Sequence, residues 1–248
     1  MNDQATDKDR RIKEMMQEHS GGDGYGWISD FVYGGIDGAV TTFAVVAGVE
    51  GASLSVPIIL ILGFANLFAD GFSMSVGKYM SDKAELEQYE KIKQIEYRHI
   101  KEYEEIERDE VREILRTYNF KGEDLERATA IVTSDPDAWV DLMMRNEFNM
   151  THENVEPIKG ALVTFAAFLS IGFIPLVGYT FGPLFHLDPS RTFIFTCFST
   201  LIGLFVVGAV KSRFSLQHWL TSGLQIMLMG GMAAALAYGV GFALRGLA

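Results

Sequence analysis

A chain of 248 residues, 48% of them hydrophobic, has room for one large domain or two small ones. Its formal net charge of −11 argues against a nucleic-acid partner, whose phosphates it would repel, and favours cations. A single cysteine, Cys197, excludes a disulfide framework or a thiolate cluster within one chain.

The averages conceal a segregation. Residues 81–156 carry 21 acidic and 11 basic side chains, so a net −10 falls in that segment, and the remainder is largely apolar. Residues 1–26 form a tail without the apolar core of a secretory signal. Its stretch "DKDRRIKEMMQEH" reads either as a short amphipathic helix touching the membrane through Met15 and Met16 or as a solvated tail.

Five segments then reach the roughly 20 apolar residues that cross a bilayer: 27–49, 56–80, 157–185, 192–210 and 219–244. The expected fold is an all-α integral membrane protein. Spans 1 and 2 lie in 27–80, an acidic helical insert in 81–156, and spans 3 to 5 in 157–248. Lys and Arg set the orientation. With the N-terminus cytoplasmic, 19 of the 21 basic residues lie on or at the cytoplasmic side, leaving only Arg191 and Arg245 across the membrane. The insert is then cytoplasmic and the C-terminus lies opposite.

The first span contains Asp37 in "YGGIDGAVTTF", with Asp30 seven residues earlier on the same helical face. A charged side chain at mid-membrane costs about 2.5–3.5 kcal/mol on insertion scales, so it faces a bundle interior or a water path. Gly34 and Gly38, four apart, permit close helix approach, here expected between two copies of the chain. In the second span Asn66, Asp70 and Met74 recur every four residues on one face. Carboxylate, amide and thioether together suit transient passage of a divalent metal of intermediate softness. Pro175 should kink the third span.

No Gly or Pro interrupts the chain between Lys78 and Lys121, so the second span is expected to run on as one helix into water. Ile92, Ile95 and Ile100 mark its buried stripe, and "SDPDAWVDLMMRNEF" opens a later helix with Asp135 as N-cap and Pro136 in its first turn. The stretch "EYEEIERDEVREI" holds six Glu and one Asp. Like charges three or four apart on a helix destabilise it by a few tenths of a kcal/mol. Two arrangements relieve this. Either Glu104–Arg108 and the neighbouring Arg112 and Arg116 form solvated ion pairs, or carboxylates on facing helices cage a hard cation. Met143, Met144 and Glu147 come later, on the last helix of the insert, able to offer sulfur and oxygen.

The motifs "DGAVTTFAVVAGV", "ADGFSMSVGKYMS", "WVDLMMRNEF" and "GFIPLVGY", in that order, resemble the vacuolar iron transporter (VIT) family, in the form of a bacterial-type member. The resemblance covers essentially the whole chain after the tail. It implies export of Fe²⁺ and related divalent metals (Mn²⁺, Zn²⁺ or Co²⁺) from the cytosol in exchange for protons. It also implies a homodimer in the lipid bilayer, with the pathway between the subunits' first and second spans, here expected in a bacterial inner membrane. By motif, Asp37 and Met74 match the family's pathway residues and Asp30 an acidic cytoplasmic mouth. Asn66 stands where plant members have Glu, and Asp70 is the alternative for that role. Glu107 and Glu110 match one Glu-x-x-Glu pair, and Met143, Met144 and Glu147 the last helix. The other pair is either Glu102 with Glu105 or, eleven residues before the first pair, Glu96 with His99. Asp109 and Glu113 remain candidates in either register.

Two rival readings differ in class. A membrane-anchored ferritin-like di-iron oxidase needs two Glu-x-x-His motifs on a four-helix bundle, and this chain offers one, Glu96 to His99. A metal buffer or sensor would need the spans only as anchors, which leaves Asp37 and Asp70 without a purpose.

Overall fold

The computed structural model describes residues 22–151, 155–185 and 188–247. The tail stretch containing Met15 and Met16 lies outside the described residues. Those described form nine α-helices joined by turns and short 3₁₀ segments, with no strand among them. The helices are α1 Gly22–Gly51, α2 Val56–Glu102, α3 Glu104–Thr117, α4 Gly122–Val132, α5 Pro136–Asn146, α6 Pro157–Gly172, α7 Ile174–Phe181, α8 Pro189–Lys211 and α9 Trp219–Leu244. The chain divides into two compact units, one of them Ser81–Val155.

In the first unit four helices are long and apolar enough to cross a membrane, and the pair α6–α7 makes a fifth span if counted as one. That pair bends by 47°. The bend falls at Phe173, with Pro175 in the first turn of α7, where a missing N–H is tolerated. Helix α2 has 47 residues. At 1.5 Å per residue it is about 70 Å long, more than twice the ~30 Å of hydrocarbon. A bilayer can therefore cover only part of it, and its apolar stretch lies in the half before Ser81.

Gly34 and Gly38 do different work from that expected of them. A Cβ on Gly34 would come within 2.5 Å of the Thr164 carbonyl oxygen, and one on Gly38 within 2.5 Å of that of Phe168. Both glycines are used to seat α1 against α6 of the same chain, so they are not free for a second copy. The outward surfaces of the spans are apolar: Phe68, Phe72, Leu228, Leu236 and Phe242 are all exposed.

The second unit has its own core. Val111, Leu115, Leu125, Trp139 and Met143 form one cluster, and Tyr89, Val140 and Met144 another. Helix α5 carries residues of both. Its start is fixed as the sequence suggests, with the Asp135 carboxylate accepting a hydrogen bond from the Asp137 backbone N–H and Pro136 in the first turn. The continuous helix expected to carry the second span on through Ile106 does not form. It breaks at Tyr103, whose φ of −131° and ψ of 36° are not helical. No glycine or proline marks the break. The reason lies further along the chain: the turn swings α3 back, so that Val111 and Leu115 reach the core that Trp139 and Met143 also enter.

Candidate metal centre

The break at Tyr103 creates the most polar interior in the Ser81–Val155 unit. On one straight helix Glu96 and Glu107, eleven residues apart, would be separated by ~16 Å. Instead, ligand atoms of Glu96, His99 and Glu107 all lie within 4.8 Å of one another. His99 Nδ1 stands 3.4 Å from Glu107 Oε1 and 4.0 Å from Glu96 Oε1. Two ligands each about 2.1 Å from a shared ion are at most ~4.2 Å apart, so both distances suit a common cation. Glu96 is 2% exposed and Glu107 5%. Each has its second oxygen, Oε2, buried without a hydrogen-bond partner. Buried carboxylate oxygens are ordinarily paired, because their desolvation is otherwise uncompensated.

The electrostatics agree with the geometry. Burial, then the charges of Glu107, Glu147 and Glu110, push the Glu96 carboxyl up to about 7. Burial is also the main cause that raises Glu107, followed by the charge of Glu110, while His99 pulls the other way. Glu147, at the end of α5, and Glu110, on α3, have exposed side chains at the rim of the group; partial desolvation and then Glu110 raise Glu147, and His99 lowers it. Five groups thus act on one another: Glu96, His99, Glu107, Glu110 and Glu147. A dication placed among them would add attractions that outweigh the carboxylate repulsion.

Other carboxylates of the insert lie elsewhere. Glu102 and Glu105 are exposed on either side of the break. Asp109 pairs with Arg112, which also binds Glu126, and Glu113 pairs with Arg116. Glu104 meets Arg108 at 2.7 Å. Solvated ion pairs thus take Glu104, Asp109 and Glu113, the buried cluster takes Glu107, and Glu102 and Glu105 face water. Met143 and Met144 are both fully buried in apolar clusters.

In the membrane-spanning unit Asp30 forms an ion pair with Lys78 at 3.1 Å, which ties the start of α1 to α2. Asp37 and Asp70 are half-buried and lie within electrostatic reach of each other. Thr41 donates its hydroxyl hydrogen to the Asp37 carbonyl oxygen at 2.8 Å. Asn66 is half-buried, with its side-chain nitrogen unpartnered, and Met74 is half-buried against the core that includes Leu67 and Phe168. One further acidic residue escapes a reading by spans. Glu50 accepts a hydrogen bond from the fully buried Tyr179 at 2.6 Å. In the sequence it stands at the edge of a turn, and nothing there points to its partner 129 residues away.

Residues 28–242 match the sequence profile of the VIT family. The chain belongs to the VIT family. Its relatives include the vacuolar iron transporter of Toxoplasma gondii (strain ATCC 50861 / VEG), 34% identical over 227 residues, which are 88% of this chain and 74% of that protein. The vacuolar iron transporter of Centaurea cyanus is 30% identical over 214 residues, 86% of each chain. Vacuolar iron transporter 1 of Arabidopsis thaliana is 30% identical over 214 residues, 85% of this chain and 83% of that one. These names describe transporters rather than enzymes. Together with the apolar helices, VIT membership makes this chain an integral membrane protein.

Proposed function

We propose that this VIT protein carries divalent metal, Fe²⁺ first among them, out of the cytosol in exchange for protons. The observation that carries the reading is the Glu96–His99–Glu107 cluster, whose two buried glutamates each leave a carboxylate oxygen without a partner. Carboxylate and imidazole together suit Fe²⁺ and Mn²⁺, and they also accept Zn²⁺ and Co²⁺. In this reading Glu110 and Glu147 complete the ligand set, and Met143 or Met144 adds sulfur from the core side. The insert is cytoplasmic and gathers metal from that side. The positions of Lys and Arg support this orientation, with the C-terminus across the membrane.

Passage uses Asp30, Asp37, Asp70, Asn66 and Met74. A desolvated carboxylate such as Asp37 holds a proton or a metal ion but hardly both, which links the two fluxes. The working unit is a homodimer. Its support is the largely exposed face of α2, where Phe68 and Phe72 flank the pathway residues. The likeness to named iron transporters supports the cargo.

The test is transport in liposomes made with the full-length protein. Fe²⁺ under reducing, anaerobic conditions, Mn²⁺, Zn²⁺ and Co²⁺ are each supplied with and without a pH gradient. Metal movement that quickens with an opposing proton gradient is expected, fastest for Fe²⁺. Absence of flux for all four metals would overturn the reading.

A further inference from the structure

Glu50 ends the first span, and its setting differs from that of the aspartates on the same helix. Asp30 and Asp37, seven residues apart, share a face. Glu50 comes thirteen residues after Asp37, about 220° further round and ~20 Å further along. It turns away from Asp70 and towards α7, where Tyr179 donates its hydroxyl hydrogen to Glu50 Oε1. It stands ~30 Å along α1 from Asp30, about the thickness of the hydrocarbon layer. It is thus at the membrane face opposite the one that Asp30 occupies.

Structural roles do not explain this carboxylate. A negative charge at a helix C-terminus opposes the helix dipole. Glu50 forms no ion pair among the described residues. The titratable groups facing it are Tyr179 on α7 and Cys197 on α8, while α9 presents the backbone carbonyl of Tyr238 to the neighbouring Gly51.

Behind Glu50 lies a second, independent feature. Helix α8 runs antiparallel to α1: Leu204 packs with Ala39, and Leu201 and Cys197 with Phe43 and Ala47. That register puts Thr200 level with Thr42, and Thr196 one turn nearer to Glu50. The Oγ1 atoms of Thr42, Thr196 and Thr200 are all buried and lack hydrogen-bond partners. These residues are at most 1% exposed. Buried hydroxyls left without partners are the usual sites of internal water.

We propose that Glu50, positioned by Tyr179, is a proton-loading residue of the transport cycle, and that the hydroxyls of Thr196, Thr200 and Thr42 hold the water through which its proton moves inward. The inference rests on the proton exchange proposed above. Each turnover takes one proton from water at the far face onto the Glu50 carboxylate. It then passes along hydrated hydroxyls towards the depth of Asp37, and no covalent bond other than O–H forms or breaks. Protons and metal thereby use different faces of α1.

The experiment compares wild type, Glu50→Gln and Tyr179→Phe, full-length, in liposomes loaded with a pH-sensitive dye and supplied with Fe²⁺. Gln keeps an acceptor for the Tyr179 hydroxyl, so a merely structural Glu50 predicts wild-type behaviour. The inference predicts that Glu50→Gln lowers proton movement per metal at least five-fold and removes the dependence of flux on far-face pH. Tyr179→Phe should retain coupling but shift the pH of half-maximal flux by at least half a unit. Wild-type coupling in Glu50→Gln, or a wild-type pH profile in Tyr179→Phe, would overturn the inference alone. Metal flux without proton movement in the wild-type protein would overturn it together with the exchange. Absence of wild-type metal flux would instead remove the proposed transport function.

Discussion

Without metal, the Glu96 cluster should make the Ser81–Val155 unit less stable as pH rises, which is the opposite of ordinary acid denaturation. The Glu96 carboxyl binds its proton more tightly in the folded protein, near 7, than its ordinary value of 4.5. At 1.36 kcal/mol per tenfold change in proton affinity, the difference is about 3 kcal/mol. The sign follows from linkage. The stabilising contribution is complete below pH 4.5 and is lost as pH rises through 7. Glu107 and Glu147 are displaced in the same direction and add to it.

Trp139, 2% exposed in the core of that unit, reports its unfolding once the exposed Trp27 and Trp219 are replaced by Phe. Urea titrations of this single-Trp protein in chelator should give a lower midpoint at pH 8 than at pH 5. Glu96→Gln removes the buried charge. It should raise the midpoint at pH 8 by up to ~3 kcal/mol in equivalent stability and flatten the pH dependence. Saturating Fe²⁺ should restore wild-type stability at pH 8, by about 2.7 kcal/mol at a hundred times the dissociation constant, and do little for Glu96→Gln. A wild-type midpoint that rises from pH 5 to pH 8, or a Glu96→Gln protein less stable than wild type at pH 8, would refute the assignment of Glu96 as a buried, strained carboxylate.

Three further outcomes separate the sites. In calorimetry on the full-length protein, Glu107→Gln with Glu147→Gln should weaken metal binding roughly ten- to a hundred-fold, the usual range for perturbing a metal site. Glu102→Gln with Glu105→Gln, which flank the turn outside the cluster, should leave it within two-fold, and equal losses in the two pairs would show that the Glu96–His99–Glu107 cluster is not the site. Gly38→Ala drives a Cβ towards the Phe168 carbonyl oxygen and should lower the thermal stability of the detergent-solubilised protein by about 1–3 kcal/mol, as overpacking does; an unchanged melting temperature would mean that α1 and α6 do not pack this closely. Asp37→Asn should abolish metal flux and the accompanying proton movement while calorimetric binding stays intact, whereas coupled flux at the wild-type rate would pass the role to Asp70.

Most of the architecture was legible because it arises from one-dimensional patterns. Apolar runs of bilayer length, the proline near the bend of α6–α7 and the Asp135–Pro136 helix start each depend on residues close in sequence. The break at Tyr103 was not legible. Every residue around it favours a helix, and the deciding force is the burial of Val111 and Leu115 against Trp139 and Met143, more than twenty residues later. The misreading of Gly34 and Gly38 has a similar origin. Small residues four apart announce a close helix contact but not which helix arrives, and α6 of the same chain takes the place.

The break also explains why one question about the metal site stayed open in the sequence. Two registers, Glu102 with Glu105 and Glu96 with His99, have the same i, i+3 spacing, and on a straight helix neither can meet Glu107. Once the chain turns at Tyr103, the pair eleven residues back lies opposite Glu107, whereas Glu102 and Glu105 flank the turn and face water. His99 occupies the middle of the group, 3.4 Å from Glu107 and 4.0 Å from Glu96. An imidazole there adds a ligand nitrogen to the two carboxylates without adding a negative charge. A third carboxylate in its place would deepen the repulsion at neutral pH. On this argument His99→Glu should lower the stability of the metal-free Ser81–Val155 unit at pH 8, read again through Trp139, and sharpen its dependence on bound metal. His99→Gln, which removes the imidazole nitrogen, should bind metal more weakly. If instead both variants match wild type in stability and in metal affinity, His99 lies beside the cluster without taking part in it.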